Sequence, residues 1–301
     1  MKKLLSTLAA FALVATALVG CNSESVTAAT YAQVGLGVVS SVDDGEISTT
    51  FVAVGLDSDG VIQYIDLDVA QSTPGTDSEY TQTKQERGDD YGMKDYSASL
   101  GNIENGGEWY EQAEAFEQYC VGKTADEVAA TEVDENGYAT GEDLTSSCTI
   151  HVTDFVEATV KACENAEDTS ADSIVMGRSM SNDDDTLDTA MIVFALDSDS
   201  KVVTAILDIA QIDNAGETLQ TKLECGDDYG MKDYSASLGN IDGGGEWYEQ
   251  AAAFEEYCEG KTIDEITATE VDESGYAIGE DLTSSCTINL SAILEAVSKA
   301  Q

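Results

Sequence analysis

One histidine (His151), one proline (Pro74) and two tryptophans occur in 301 residues, and 13 Lys+Arg face 59 Asp+Glu. Each shortage closes off a class of chemistry. A single imidazole argues against histidine-rich metal sites and against most His-based catalysis. A single proline excludes long polyproline linkers. The shortage of basic side chains leaves a formal charge of −46, which repels phosphate backbones at all ranges and excludes nucleic-acid binding. The chain also lacks a Gly-rich phosphate loop and any cluster of side chains at metal-ligand spacing. Its apolar N-terminal run, Leu4 to Leu18, is too short for a membrane span.

What is present is enough to build packed cores. Hydrophobic residues make up 42% of the chain, with 13 Tyr and 6 Phe, so the acidity belongs to a surface and not to wholesale disorder. Met1-Lys2-Lys3 followed by the apolar run reads as a secretory signal peptide over residues 1–20. Leu18-Val19-Gly20-Cys21 resembles the bacterial lipobox, which makes Cys21 the lipidated N-terminus of the mature chain. Two acyl chains on that cysteine suffice for stable attachment to a lipid membrane. Residues 21–29 are small and polar and read as a tether, on the extracellular face of the cell membrane. Removal of Lys2 and Lys3 makes the mature chain two charges more negative.

The rest of the chain is one unit written twice. Gly88–Ile103 recurs at Gly226–Ile241, Glu108–Ala113 at Glu246–Ala251, and Gly141–Ile150 at Gly279–Ile288, all at an offset of 138. So long a period means domain duplication, not a solenoid. The upstream parts match in pattern only: Leu56–Gly60 with Leu196–Ser200, and Asp68–Gln71 with Asp208–Gln211. We therefore expect domain 1 over 30–163, a linker over 164–171, and domain 2 over 172–301.

The patterning predicts an α+β fold of two tandem homologous domains, each an antiparallel sheet packed with short helices. Residues 47–56 and 61–69 are β-rich runs joined by the hairpin signal Asp57-Ser-Asp-Gly60, and 191–195 with 202–209 repeat them. Trp109, Gln112/Ala113, Phe116 and Tyr119/Cys120 follow helical spacing up to Gly122. Thr124–Glu127 and Thr262–Glu265 are capping boxes, and 155–162 and 292–299 read as closing helices. The acidic stretches Asp57–Gly60 and Ser181–Asp185 do not match an EF-hand and read as turns and a solvated loop.

Asp143-Leu-Thr-Ser146-Ser-Cys-Thr149 recurs unchanged as Asp281-Leu-Thr-Ser284-Ser-Cys-Thr287. By composition alone this is a Ser/Thr-rich turn. Its spacing is similar to the acceptor motif of FAD:protein FMN transferases, Asp-x-x-Ser-Gly-Ala-Thr, with Ser147/Ser285 in place of Gly and Cys148/Cys286 in place of Ala. Together with the lipobox, the duplicated unit, the Gly-Asp-Asp-Tyr-Gly-Met-Lys segments and the Glu-Trp-Tyr-Glu-Gln-Ala helices, the chain resembles the flavinylated, peptide-pheromone-encoding lipoproteins of Gram-positive extracellular electron transfer.

That resemblance implies two covalent FMN groups, on Thr149 and Thr287, with Asp143, Ser146, Asp281 and Ser284 as motif residues. It implies as partners the transferase, membrane quinone-linked electron-transfer proteins, and extracellular acceptors such as ferric iron or free flavin. The protein would then be an electron carrier, not a turnover enzyme. Trp109, Tyr110, Tyr91, Tyr96 and their repeats Trp247, Tyr248, Tyr229, Tyr234 are candidates to stack on the flavin ring, against ordinary core packing. His151 becomes Asn289 in the second copy, which argues against a shared role for it. The competing class is a noncatalytic acidic cell-surface binding lipoprotein, with a pheromone cut from the signal peptide as a further idea.

Cys120 and Cys148 recur as Cys258 and Cys286. Their duplicated placement suggests one disulfide per unit, worth about 3.5 kcal/mol for a loop of about 28 residues. Buried free thiols are the other reading. Cys163 and Cys225 have no counterparts and could pair across the units.

Overall fold

The structure is a computed structural model that describes residues 31–76 and 81–300. The expected signal peptide (1–20), the expected lipidation site Cys21 and the expected tether (21–29) lie outside the described residues. Among the described residues, no helix is long and apolar enough to cross a membrane.

Unit one opens with a meander, β1 (Tyr31–Asp43), β2 (Glu46–Leu56) and β3 (Ile62–Ser72). Short helices follow: α1 (Lys84–Arg87), α2 (Lys94–Leu100), α3 (Trp109–Cys120), α4 (Ala125–Ala129), α5 (Glu142–Thr145) and α6 (Thr153–Glu164). A strand, β4 (Glu167–Ala171), leads into unit two. There β5 (Ser173–Asn182), β6 (Thr186–Leu196) and β7 (Val202–Asp213) precede α7 (Lys222–Cys225), α8 (Lys232–Leu238), α9 (Trp247–Cys258), α10 (Ile263–Thr267), α11 (Glu280–Thr283) and α12 (Ser291–Ser298). The fold is α+β, with antiparallel sheets ordered β3-β2-β1-β4 and β5-β6-β7.

The stretch 164–171, expected as a linker, carries the end of α6 and the edge strand β4, which pairs with β1. Its polar composition suits an edge position, where one row of backbone groups and much of its side-chain surface stay solvated.

The two sheets pack face to face. Along β2, Val52, Val54 and Leu56 point to the helices of unit one. The alternate residues Ile47, Phe51 and Ala53 meet Met176, Met191 and Val193 of unit two. The layers therefore run helices, sheet, sheet, helices, and the inner strands are buried on both faces. That explains why their apolar runs are nearly continuous. Helix α6 lies on β1 at Gly37, where an added Cβ would sit 2.1 Å from the Ala158 carbonyl oxygen. Gly177 on β5 makes the same approach to Ala296 of α12. A side chain at either point would push its helix off the sheet.

Local chemistry closes the elements as the sequence predicts. The Asp57 carboxylate accepts from Asp59 N–H (2.9 Å) and Val61 N–H (3.1 Å), which makes the β2–β3 connection an Asx-type turn. The Thr124/Glu127 and Thr262/Glu265 capping boxes are formed. Residues 183–185 turn β5 into β6.

The six cysteines among the described residues are free thiols, so neither Cys120–Cys148 nor Cys258–Cys286 is a disulfide here, and Cys163 and Cys225 are unpaired as well. All four repeated cysteines are buried among apolar side chains, where cysteine acts as a small hydrophobe. Burial pushes the Cys148 and Cys286 thiols up to about 11, which keeps them protonated and unreactive.

Candidate functional site

The site is assembled at the start of α3. Gly106 adopts φ +69°, and a Cβ there would meet the Lys94 carbonyl oxygen at 2.1 Å, so only glycine lets the chain fold back against α2. The next turn brings in Glu108, whose buried carboxylate accepts from the backbone N–H groups of Met93 (2.9 Å) and Lys94 (3.2 Å). Glu111 closes the box by accepting from Glu108 N–H (2.8 Å). One carboxylate thus satisfies the first donors of α2 while capping α3, a placement the helix dipoles favour at both ends.

One turn into α3, Gln112 is fully buried. Its Nε2 donates to the Gly107 carbonyl (2.9 Å) and to Ser97 Oγ (3.4 Å). Its Oε1 accepts twice from Thr149, from the backbone N–H (2.7 Å) and from Oγ1 (2.9 Å). The amide can face only one way. The Gly107 carbonyl can only accept, and the Thr149 N–H can only donate. The Thr149 hydroxyl therefore gives its proton inward to the amide, and its lone pairs are directed away from Gln112.

Unit two repeats the arrangement. Gln250 Oε1 accepts from Thr287 N–H (2.6 Å) and Oγ1 (2.8 Å), and its Nε2 donates to the Gly245 carbonyl (2.8 Å). The sequence marks Gln112 only as a position on a helix face, and Gln250 only as its repeat. The signal for more was their place in the repeated Glu-Trp-Tyr-Glu-Gln-Ala segments, since a buried amide must find partners.

Thr149 stands on a ridge between two clefts. One, of about 440 Å³, is lined by Tyr91, Tyr96, Trp109, Tyr138, His151 and Lys84. The other, of about 360 Å³, is lined by Tyr96, Leu100, Tyr138 and Thr145. Both volumes fall in the usual range for small-molecule sites. Tyr96 and Tyr138 border both clefts and are exposed. Tyr138 is held edge-on to His151, with ring centroids 6.0 Å apart, by the bridge between residues 138 and 151. In unit two, Thr287 lines a cleft of about 290 Å³ with Tyr234, Leu238, Tyr276 and Thr283.

The other predicted residues divide. Tyr91 reaches the cleft, with the Arg87 guanidinium 4.8 Å and the Lys84 ammonium 5.7 Å from its ring centre. Burial pushes the Lys84 amine down to about 8, so this cation is held loosely protonated at the cleft wall. Tyr229 is more open and has Lys222 at 5.5 Å. Trp109 touches the cleft floor but is only 3% exposed, packed edge-on to Phe155 at 6.0 Å. Trp247 is equally buried in the core of unit two. For both tryptophans core packing dominates. Tyr110 and Tyr248 hydrogen-bond to Asp89 and Asp227 instead of lining these clefts.

Asp143 and Ser146 are not brought to Thr149. Buried Leu144 and Cys148, linked by a Cys148 N–H to Leu144 carbonyl bond of 2.7 Å, turn the short α5 so that Asp143 and Ser146 face solvent. Asp143 lines a separate hollow with Tyr119 and Thr131. Asp281 and Ser284 are likewise exposed. As free surface groups beside the threonine segment, they can be read by an incoming protein but not by a group seated in the clefts.

No protein-family model, curated protein or solved structure matches this chain.

Proposed function

We propose that this protein is a lipid-anchored extracellular electron-transfer flavoprotein carrying FMN through its phosphate on Thr149 and Thr287. The observation that supports it most is the doubled clasp. In each unit a buried glutamine holds the acceptor-motif threonine by two bonds, with the hydroxyl oxygen's lone pairs free beside exposed tyrosines.

The side chains fit such a group. Tyr96 and Tyr138 in unit one, and Tyr234 and Tyr276 in unit two, are flat surfaces next to the threonine. Lys84 offers positive charge in an otherwise acidic chain. When bound, the flavin supplies the redox chemistry, and the protein has only to hold it and exclude competing contacts. Gln112 is a neutral amide with no useful basicity. It orients the Thr149 hydroxyl but cannot take its proton, so the proton acceptor for attachment has to come from the transferase. The exposed Asp143/Ser146 and Asp281/Ser284 pairs are then the features that the transferase reads. Electrons would pass from membrane quinone-linked proteins to ferric iron or free flavin, with the acidic surface drawing cationic acceptors inward.

Intact mass after coexpression with an FAD:protein FMN transferase tests the reading. The expected gain is two FMN groups less two waters, with a yellow protein, and both are lost in Thr149→Ala/Thr287→Ala. A colourless wild type of unchanged mass, or a gain that survives the double substitution, overturns it and leaves the acidic binding module.

A further inference from the structure

The two units are related by an approximate two-fold axis that their ion pairs make visible. Lys299 of α12 reaches Glu86 of unit one at 3.0 Å, and the repeat-equivalent Lys161 of α6 reaches Glu224 of unit two. A contact that is its own partner is the mark of an isologous interface, here within one chain.

One cluster, centred on Arg178, breaks the symmetry. Arg178 on β5 crosses to β3, where its guanidinium bonds Asp66 (2.7 Å), Asp68 (3.0 Å) and Gln85. By the repeat, Asp68, Thr83 and Gln85 correspond to Asp208, Thr221 and Leu223, while Asp66 corresponds to Ile206 and Arg178 to Val38. The bonds that hold the central aspartate are the same on both sides. Asp68 accepts from Val69 N–H (2.7 Å), Gln85 N–H (3.0 Å) and the Thr83 hydroxyl. Asp208 accepts from Ile209 N–H (2.7 Å), Leu223 N–H (3.1 Å) and Thr221. What differs is the cation and the two groups that share it with Asp68, since Asp66 and Gln85 give way to the apolar Ile206 and Leu223. In place of the arginine, the second side has a cleft of about 330 Å³ walled by Leu36, Val38, Ile206 and Leu223, with Asp208 in its lining.

We infer that this cleft between the units is a binding site for a small organic cation, a guanidinium head on a short aliphatic body. Its head would take the place that the Arg178 guanidinium takes against Asp68, and its body would lie on the aliphatic wall. The chemistry follows from the sister site, where the equivalent carboxylate, Asp68, takes a guanidinium together with Asp66 and Gln85. Asp208 is 4% exposed, and burial without a cation pushes its carboxyl up to about 7. The nearby Lys161 is committed to Glu224 and to the Val38 carbonyl (2.7 Å). Glu167 and Glu224 also line the cleft, so its charge favours a cation. The inference concerns residues remote from Thr149 and Thr287 and does not depend on the flavin.

The test is isothermal titration of n-propylguanidine into the mature chain expressed without a transferase. One saturable site per chain is expected, and its affinity should fall about tenfold or more in Asp208→Asn, where a charge-assisted bond is lost. Val38→Arg should place a tethered guanidinium in the cleft, abolish the titration and raise the melting temperature without ligand. Absence of saturable binding to the wild type, or binding that Val38→Arg leaves unchanged, overturns the inference. n-Propanol at the same concentrations should give no saturation, and if it matches the guanidine the cleft is merely apolar.

Discussion

Unit one and unit two share a site but not a sheet face. The clasps agree closely: Gln112 and Gln250 hold their threonines at 2.9 and 2.8 Å, and both reach glycine carbonyls at 2.9 and 2.8 Å. The sheets diverge where they meet, with Arg178 on β5 where β1 has Val38, and Asp66 on β3 where β7 has Ile206. A covalent link between two copies explains this. Symmetric partners must change both sides of an interface at once, whereas fused halves can specialise separately. Features kept alike in spite of that freedom are the ones each unit needs for itself.

The largest test of that contrast is Arg178. Its replacement by Met leaves Asp66 and Asp68 buried without a cation, and loss of one member of a buried pair costs about 3–5 kcal/mol. Asp208→Asn on the other side removes no ion pair and is expected to cost much less. Urea unfolding of both variants decides the matter, and equal losses would mean that the two sides are energetically alike. Gly37→Ala and Gly177→Ala come next, at about 1–3 kcal/mol each, because the new Cβ meets helix backbone that cannot give way cheaply. A loss in only one of them would show that α6 and α12 do not sit alike.

The buried glutamates sharpen the comparison through pH. Glu117 accepts from Leu67 N–H (2.7 Å), and Glu255 from Leu207 N–H (2.6 Å). Burial pushes Glu117 up to about 8, with Asp66 adding to it, and Glu255 up to about 7. Both folded values lie above the unfolded one. Their stabilisation is therefore fully present below about pH 4.5 and is lost as pH rises toward 7 and 8. Glu117→Gln should flatten the stability profile over that window more than Glu255→Gln, because Glu117 is raised further, with Asp66 the leading charge beside it where Glu167 and Asp208 act on Glu255. The reverse order in chemical denaturation across pH would remove Asp66 from the explanation.

Gln112→Leu and Gln250→Leu test what the units share. Each strands a threonine N–H and hydroxyl, at about 1–3 kcal/mol. If the clasp serves flavin attachment, each also lowers incorporation at its own threonine only, read by peptide mass. Stability loss with full incorporation at both sites would make the clasp structural alone.

Much of this was legible from local chemistry. β-rich runs, helical spacing and capping boxes locate β2, β3, β6, β7, α3, α4, α6, α10 and α12, because each is decided within a few residues. Strand β1 was not found, since Gly35 and Gly37 dilute its apolar pattern; those glycines are there for the helix that lies on it. Strand β4 reads as a polar linker because it is an edge. The packing of sheet on sheet was hidden because a strand buried on both faces has no polar side to orient it. At the site, the motif pointed to Thr149 and Thr287. Their partners Gln112 and Gln250 each lie 37 residues away and are masked by the apolar face around them. Repeated cysteines suggested bridges, but repetition reports equal burial as readily as equal bonding.

The smallest difference is the β2–β3 turn and its copy. Asp57 and Asp197 make the same bonds to the following N–H groups, at 2.9 and 3.1 Å in one and 2.9 and 2.9 Å in the other. The fourth residue is left-handed in both, Gly60 at φ +75° and Ser200 at φ +59°. A serine there pays a Cβ clash of roughly 1 kcal/mol that glycine avoids, while glycine gives up more chain entropy on folding. The two effects nearly offset, so Ser200→Gly should gain only about 0.5 kcal/mol, and Gly60→Ser should lose about as much. A double substitution that exchanges the two residues should leave the melting temperature unchanged. A shift in the exchanged protein would mean that the turns are not equivalent, and that the divergence of the two units reaches past the sheet face to the hairpin ends.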